Sequence, residues 1–76
     1  MKTRQKQEIR FAVCITDSEP DLEKRKIYQI VSDETAEKEG HVRVIDESGE
    51  DYLYPADFFV PVEVSKEAER ALLRAS

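Results

Sequence analysis

Val42–Val62, VRVIDESGEDYLYPADFFVPV, is the stretch that decides the fold. Within it, Asp51–Tyr54 (DYLY) follows His41–Asp46 (HVRVID) across Glu47-Ser48-Gly49, a spacing that predicts a hairpin with a three-residue loop and Gly49 in the left-handed position. That loop pairs Asp46 with Glu50, so Val44 opposes Tyr52, Val42 opposes Tyr54, and the four side chains share one face. A two-residue loop would set Leu53 against Val44 instead. One residue of slip exchanges the faces and decides whether the tyrosines lie inside or outside, and the three-residue register is the one expected. Pro55-Ala56-Asp57-Phe58 then reads as a tight turn or a single 3₁₀ turn. Phe59–Val64 (FVPVEV) reads as the last strand, with Pro61 on an edge or bulge.

Toward the N-terminus, Ile9, Phe11, Val13 and Ile15 alternate with Arg10, Ala12 and Cys14, a period of two that predicts a strand with one buried face. The Phe11 face is expected inside. The small second face, Ala12 and Cys14, is either covered by another element or open to water. Thr16–Glu23 (TDSEPDLE) gathers turn formers and acids and reads as a loop that cannot pack a core. Lys26–Val31 (KIYQIV) is β-branched and aromatic, a second strand. Ser32–Gly40 (SDETAEKEG) suits one capped helical turn or a long polar loop, with Gly40 closing it. Beyond the last strand the period changes. Ser65 can cap a helix with Glu67 and Glu69 in its first turn and Arg74 in its last, and Ala68, Ala71, Leu72 and Ala75 share a face. Such a helix is too short to stand alone in water, so it must dock on the rest of the chain or on another molecule.

A chain of 76 residues is one domain with room for one modest core. Cys14 is its only cysteine, which excludes an intrachain disulfide and points to a reducing compartment, the cytoplasm. No segment approaches the roughly 20 apolar residues that span a bilayer, and the alternating run Ile9–Ile15 lacks a signal-peptide core, so neither membrane insertion nor secretion is expected. The formal net charge is −5, unevenly placed. Lys2, Arg4, Lys6 and Arg10 face Glu8 alone in the first ten residues, and acids outnumber bases from Thr16 to Asp57. That surface repels a nucleic-acid backbone.

Five short strands, a long polar loop between the first two and a tight turn before the last resemble the SH3-like barrel. Tyr54-Pro55-Ala56-Asp57-Phe58-Phe59-Val60 is similar to the signature that forms the 3₁₀ turn and last strand of SH3 domains. The Val42–Val62 block also resembles a group of small, uncharacterised bacterial proteins with this barrel, a likeness that covers Phe11 to Glu63 and implies a fold and not an activity. The expected organisation is therefore a flexible arm over residues 1–8, a mainly β, five-stranded SH3-like barrel over 9–64, and a short C-terminal α-helix over 65–76. In peptide-binding SH3 domains this proline and aromatic join other aromatics and a tryptophan in a groove for Pro-rich helices. Pro55 and Phe58 match by position, but the chain has no Trp, Phe58 lacks a hydroxyl, and the first strand lacks the aromatic run. Recognition of that type is not expected. The acidic loop of Asp17, Glu19, Asp21 and Glu23 sits where those domains carry their specificity loop, which implies a basic partner segment.

Chemistry-bearing residues are sparse. His41 alone supplies neither an oriented base nor a set of metal ligands, and Cys14 has no histidine nearby in sequence. Asp46, Glu47, Glu50 and Asp51 crowd one hairpin tip without the spacing of a calcium loop, so they read as a solvated turn. Gly40 and Gly49 are isolated and make no phosphate cradle. The sequence nominates no catalytic residue, cofactor or metal. Its leading expectation is a non-enzymatic module that binds a protein partner through Asp17, Glu19, Asp21, Tyr54, Pro55 and Phe58. The alternative is a structural subunit or homo-oligomer, joined through the C-terminal helix or an edge strand. A nucleic-acid-binding barrel ranks third, because the basic face it would need is missing.

Overall fold

The hairpin forms in the three-residue register. In the computed structural model, which describes residues 10–75, β3 (His41–Ile45) pairs antiparallel with β4 (Asp51–Pro55), placing Val44 opposite Tyr52 and Val42 opposite Tyr54. Gly49 N–H donates to Asp46 O at 2.9 Å and Gly49 has φ +87°, the left-handed conformation that closes such a loop. β1 (Arg10–Cys14), β2 (Ile27–Val31) and β5 (Phe59–Val62) complete one antiparallel sheet in the order β4-β3-β2-β1-β5. The 3₁₀ turn Ala56–Phe58 links β4 to β5. The expected arm over residues 1–8 lies outside the described residues.

Between β2 and β3 the chain makes α1 (Glu34–Lys38), so the helical reading of Ser32–Gly40 holds. Asp33 caps it, its Oδ1 accepting from Ala36 N at 3.1 Å, and Gly40 leaves it at φ +79°. α1 is held to the sheet by side chains from β3 and β1. Arg43 reaches Asp33 at 2.8 Å and Arg10 reaches Glu37 at 2.6 Å.

Strand alternation divides the sheet into two faces. The inner one gathers Ala12, Cys14, Tyr28, Ile30, Val44, Tyr54 and Phe59 into the core, with Val42 and Phe58 packed against it. Tyr28 and Tyr54 both meet Phe59 edge to face, with ring centroids 6.4 and 6.2 Å away.

Two expectations are corrected here. β1 sends its small side chains, not its large ones, into the core. Ala12 lies across from Tyr28 on one side and Pro61 on the other, and Cys14 lies across from Phe59, so small residues in the middle strand make room for the aromatics of its neighbours. Phe11 is buried on the opposite face, while Ile15 is 49% exposed. The second correction concerns the loop between β1 and β2. Leu22 interrupts its acids and is buried in the core at 5% exposure, so this loop does contribute packing.

The outer face is apolar over much of its width. Val60, Val13 and Ile27 form one cross-strand row, with Val62 and Phe11 in the next. α2 (Lys66–Ala75), capped by Ser65 Oγ accepting from Ala68 N at 3.0 Å, covers part of it. The helix half-buries Ala68, Leu72 and Leu73 and leaves Ala71 and Ala75 exposed, so its inward stripe is rotated toward the two leucines from the alanine face expected. Leucines bury more apolar area than alanines and set the rotation. A groove of about 400 Å³ remains between Leu72 and Ala75 of the helix and Phe11, Ile27 and Ile45 of the sheet.

Both end strands carry a proline at a chosen position. Ile15 N–H donates to Phe58 O, and Ala56 N–H to Gly40 O. Because antiparallel pairs alternate between bonded and non-bonded, Pro61 opposite Ala12 and Pro55 opposite His41 fall at non-bonded pairs, with their ring nitrogens turned to the outer rims of the sheet. Neither costs the ladder a bond, and each takes a donor from its rim.

Candidate functional site

Two inner-face tyrosines reach the same end of the sheet and meet consecutive carboxylates there. Tyr54 donates to Asp46 Oδ2 at 2.6 Å, and Tyr28 donates to Glu47 Oε2 at 2.6 Å. Asp46 Oδ1 also accepts from Ser48 N at 3.0 Å and from Ser48 Oγ at 2.6 Å. Glu47 Oε2 is shared with Lys26 Nζ. The loop between β1 and β2 joins the same assembly through its backbone, with Glu47 N–H donating to Asp21 O at 3.0 Å and Glu23 N–H donating to the Tyr28 hydroxyl at 2.7 Å. The hairpin tip and the acidic loop are therefore one surface.

Electrostatics follow from this wiring. Burial by itself would raise the Asp46 carboxyl, but the hydrogen bonds from Ser48 and Tyr54 outweigh it and hold the group below the usual carboxylate range. Hydrogen bonds from Lys26 and Tyr28 lower Glu47 in the same way. The tyrosines move oppositely. Burial, and then the neighbouring carboxylate, pushes both Tyr28 and Tyr54 well above the ordinary phenol value, and the charges of Asp21 and Glu19 add to the effect on Tyr54. Tyr52, hydrogen-bonded to Glu50 at 3.2 Å, is raised by Glu50 first and also by Asp46 and Asp21. Six carboxylates, Glu19, Asp21, Glu23, Asp46, Glu47 and Glu50, thus bear on one end of the sheet; Lys26 there is engaged by Glu47, and Lys24 and Arg25 lie exposed in the same connection.

The residues nominated from sequence separate into two groups. The charges of Glu19 and Asp21 both act on the Tyr54 hydroxyl, and Asp17 lies exposed in a turn closed by Thr16 and Ser18, whose hydroxyls are 2.9 Å apart. Tyr54 itself is buried at 8% exposure and serves as an anchor for Asp46, not as a contact surface. Pro55 is exposed at the far end of β4, and Phe58 is half-buried with its ring tilted against Tyr54 at 6.4 Å and its carbonyl accepting from Ile15 N–H at the entry to the acidic loop.

Tyr52, 50% exposed beside Glu50, is the tyrosine of β4 that lies at the surface in place of Tyr54. It shares the register face of Tyr54 but stands nearer the loop tip, past the end of the core. Asp46 was expected in a solvated turn and is instead 5% exposed. The signal that could have found it is the buried tyrosine two strand positions behind the tip, whose hydroxyl needs an acceptor within reach.

The chemistry of this end is that of fixed anions beside an aromatic ring. Carboxylates held ionised in place, flanking an exposed tyrosine, suit a lysine or arginine side chain through ion pairing and cation–π contact. Elsewhere, Cys14 is fully buried with its thiol donating to Thr16 O at 3.3 Å, and His41 Nδ1 contacts Glu39 O at 3.0 Å. Among the described residues, no group of three or more His, Cys, Asp or Glu side chains is placed to hold a metal, and no helix is long and apolar enough to cross a membrane. Compared with known proteins, the chain matches no family model, no curated protein and no solved structure.

Proposed function

We propose that the chain is a non-enzymatic, cytoplasmic interaction domain on an SH3-like frame, and that it binds a basic segment of a protein partner at its acidic end. The observation that carries this reading is the Glu47 N–Asp21 O hydrogen bond, which fastens the acidic loop to the hairpin tip beside exposed Tyr52. The bond makes one pre-arranged anionic surface from two loops that would otherwise move independently, which lowers the ordering cost of binding. Asp21 and Glu50 supply charge, and Tyr52 supplies the ring on which a guanidinium can lie. Pro55 and Phe58 support the frame in this reading, and a Pro-rich ligand is not the partner.

A titration with a short oligo-arginine peptide, followed by the ring resonances of Tyr52, tests it. Saturable shifts are expected at low salt, with affinity falling as salt rises because exposed charge pairs are screened. Asp21→Lys combined with Glu50→Lys should weaken binding by about tenfold or more, since like charges then face the peptide. Equal binding of an oligo-glutamate peptide, or no shift with oligo-arginine at low salt, would refute the reading.

A further inference from the structure

The outward face of α2 has the chemistry that the acidic end calls for. Lys66, Arg70 and Arg74 recur every four residues and so line one exposed stripe of the helix, opposite half-buried Ala68 and Leu72 and bordered by half-buried Leu73. Among the described residues none of the three enters an ion pair, as also holds for Lys24, Arg25 and Lys38, whereas Arg10, Lys26 and Arg43 are paired with acids. Ala71 lies beside the stripe, exposed, and its small size lets another surface approach closely. Glu67 is the one acid on this face, against three bases. In a chain of net charge −5, three bases on one helix face are the counterpart of the carboxylates at the acidic end.

We infer that the outward face of α2 docks on the acidic end of a second copy of this chain, Lys66, Arg70 and Arg74 meeting Asp21, Glu50 and Tyr52 of the other molecule. The inference rests on the binding surface proposed above and names an occupant for it. Among the described residues the stripe makes no ion pair with its own molecule's acidic end, although Leu72 and Ala75 line one groove with Asp46, Glu47 and Gly49. Two copies related by a twofold axis make the contact twice, helix to loops and loops to helix, and such closure limits assembly to a dimer. A head-to-tail arrangement would instead leave one helix and one acidic end free at the two extremities and grow without limit. The twofold form is the one assigned. A basic partner segment would then compete with the second copy for the same carboxylates.

Sedimentation velocity on the full chain, over a wide range of concentration and at two salt levels, reads this out. A monomer–dimer equilibrium that weakens about tenfold or more on raising salt is expected. A helix variant carrying Lys66→Glu, Arg70→Glu and Arg74→Glu should be monomeric, as should the loop variant Asp21→Lys with Glu50→Lys. Mixed together, the two variants should form a one-to-one dimer, because each reversed surface now faces a reversed partner. Circular dichroism checks that both fold, and Lys66→Ala with Arg70→Ala and Arg74→Ala replaces the helix variant if the glutamates unwind α2. Wild-type protein that stays monomeric throughout overturns the inference, as does a dimer that survives the helix substitutions or a mixture that fails to associate. Oligo-arginine binding by the helix variant separates the two proposals. If it binds while the wild type never dimerises, the acidic surface stands and the second copy is not its occupant.

Discussion

The hairpin tip and the C-terminal helix attach to the same sheet, one through hydrogen bonds at its end and the other through a few apolar side chains on its outer face. At the tip, Asp46 and Glu47 each accept from a tyrosine rooted in the core, and Asp21 O ties in the acidic loop. Over α2, no described residue is fully buried, and a groove of about 400 Å³ separates parts of the helix from the strands beneath. A buried carboxylate is costly to leave unsatisfied, so the tip should yield all at once when one donor is removed. The helix loses only a fraction of a side chain's burial at each step and should yield gradually.

Tyr54→Phe puts the largest strain on that contrast. It strips a donor from a buried carboxylate and should cost about 1.5–3 kcal/mol in urea unfolding, the range for hydrogen bonds to charged groups. A loss well under 1 kcal/mol would mean that water replaces the hydroxyl and that the tip is not a buried network. The same network predicts an acid limb. Asp46 and Glu47 have folded-state values below their unfolded ones, so their contribution is fully present above the unfolded carboxylate range and is lost as pH falls through the folded values. Stability followed from neutral to acidic pH should decline there in the wild type. Asp46→Asn should flatten that decline, and an unchanged slope would place the titrating group elsewhere.

Gly49→Ala isolates the backbone of the turn. Nothing lies within 4 Å of where the added methyl would sit, so its cost is that of a left-handed residue alone, about 1 kcal/mol. At the small end, Leu72→Ala should cost about 1 kcal/mol or less, because the side chain is only half-buried. Native-state hydrogen exchange sharpens the comparison further. Amides of α2 should open at lower free energy than those of β3 and β4, and equal protection would show that helix and sheet unfold as one unit.

What the sequence makes legible is the local geometry. The Glu47-Ser48-Gly49 spacing gives the hairpin register, and Ser65 and Asp33 mark the helix starts, because turn and cap chemistry is set by a few adjacent residues. What it hides is lateral. Alternation along β1 shows two faces without showing that Tyr28 and Phe59 flank it, so Phe11 and not Ala12 looked like the core side. The acids of Thr16–Glu23 mask Leu22 for a similar reason, since one apolar residue in a polar loop has no periodicity to reveal it. The candidate site suffers most. Tyr52 and Tyr54 are indistinguishable by pattern, and only the position where the core ends buries one and exposes the other.

The prolines at the two rims bear on how any partner is read. With Pro55 and Pro61 each removing an outward donor, an extended peptide meets a gap in the main-chain ladder at either rim, so β-augmentation is disfavoured on both sides. Recognition through side chains is favoured instead. It follows that a basic ligand is chosen by the density of its charges more than by their order, and a peptide of scrambled sequence should bind the acidic end nearly as well as the original.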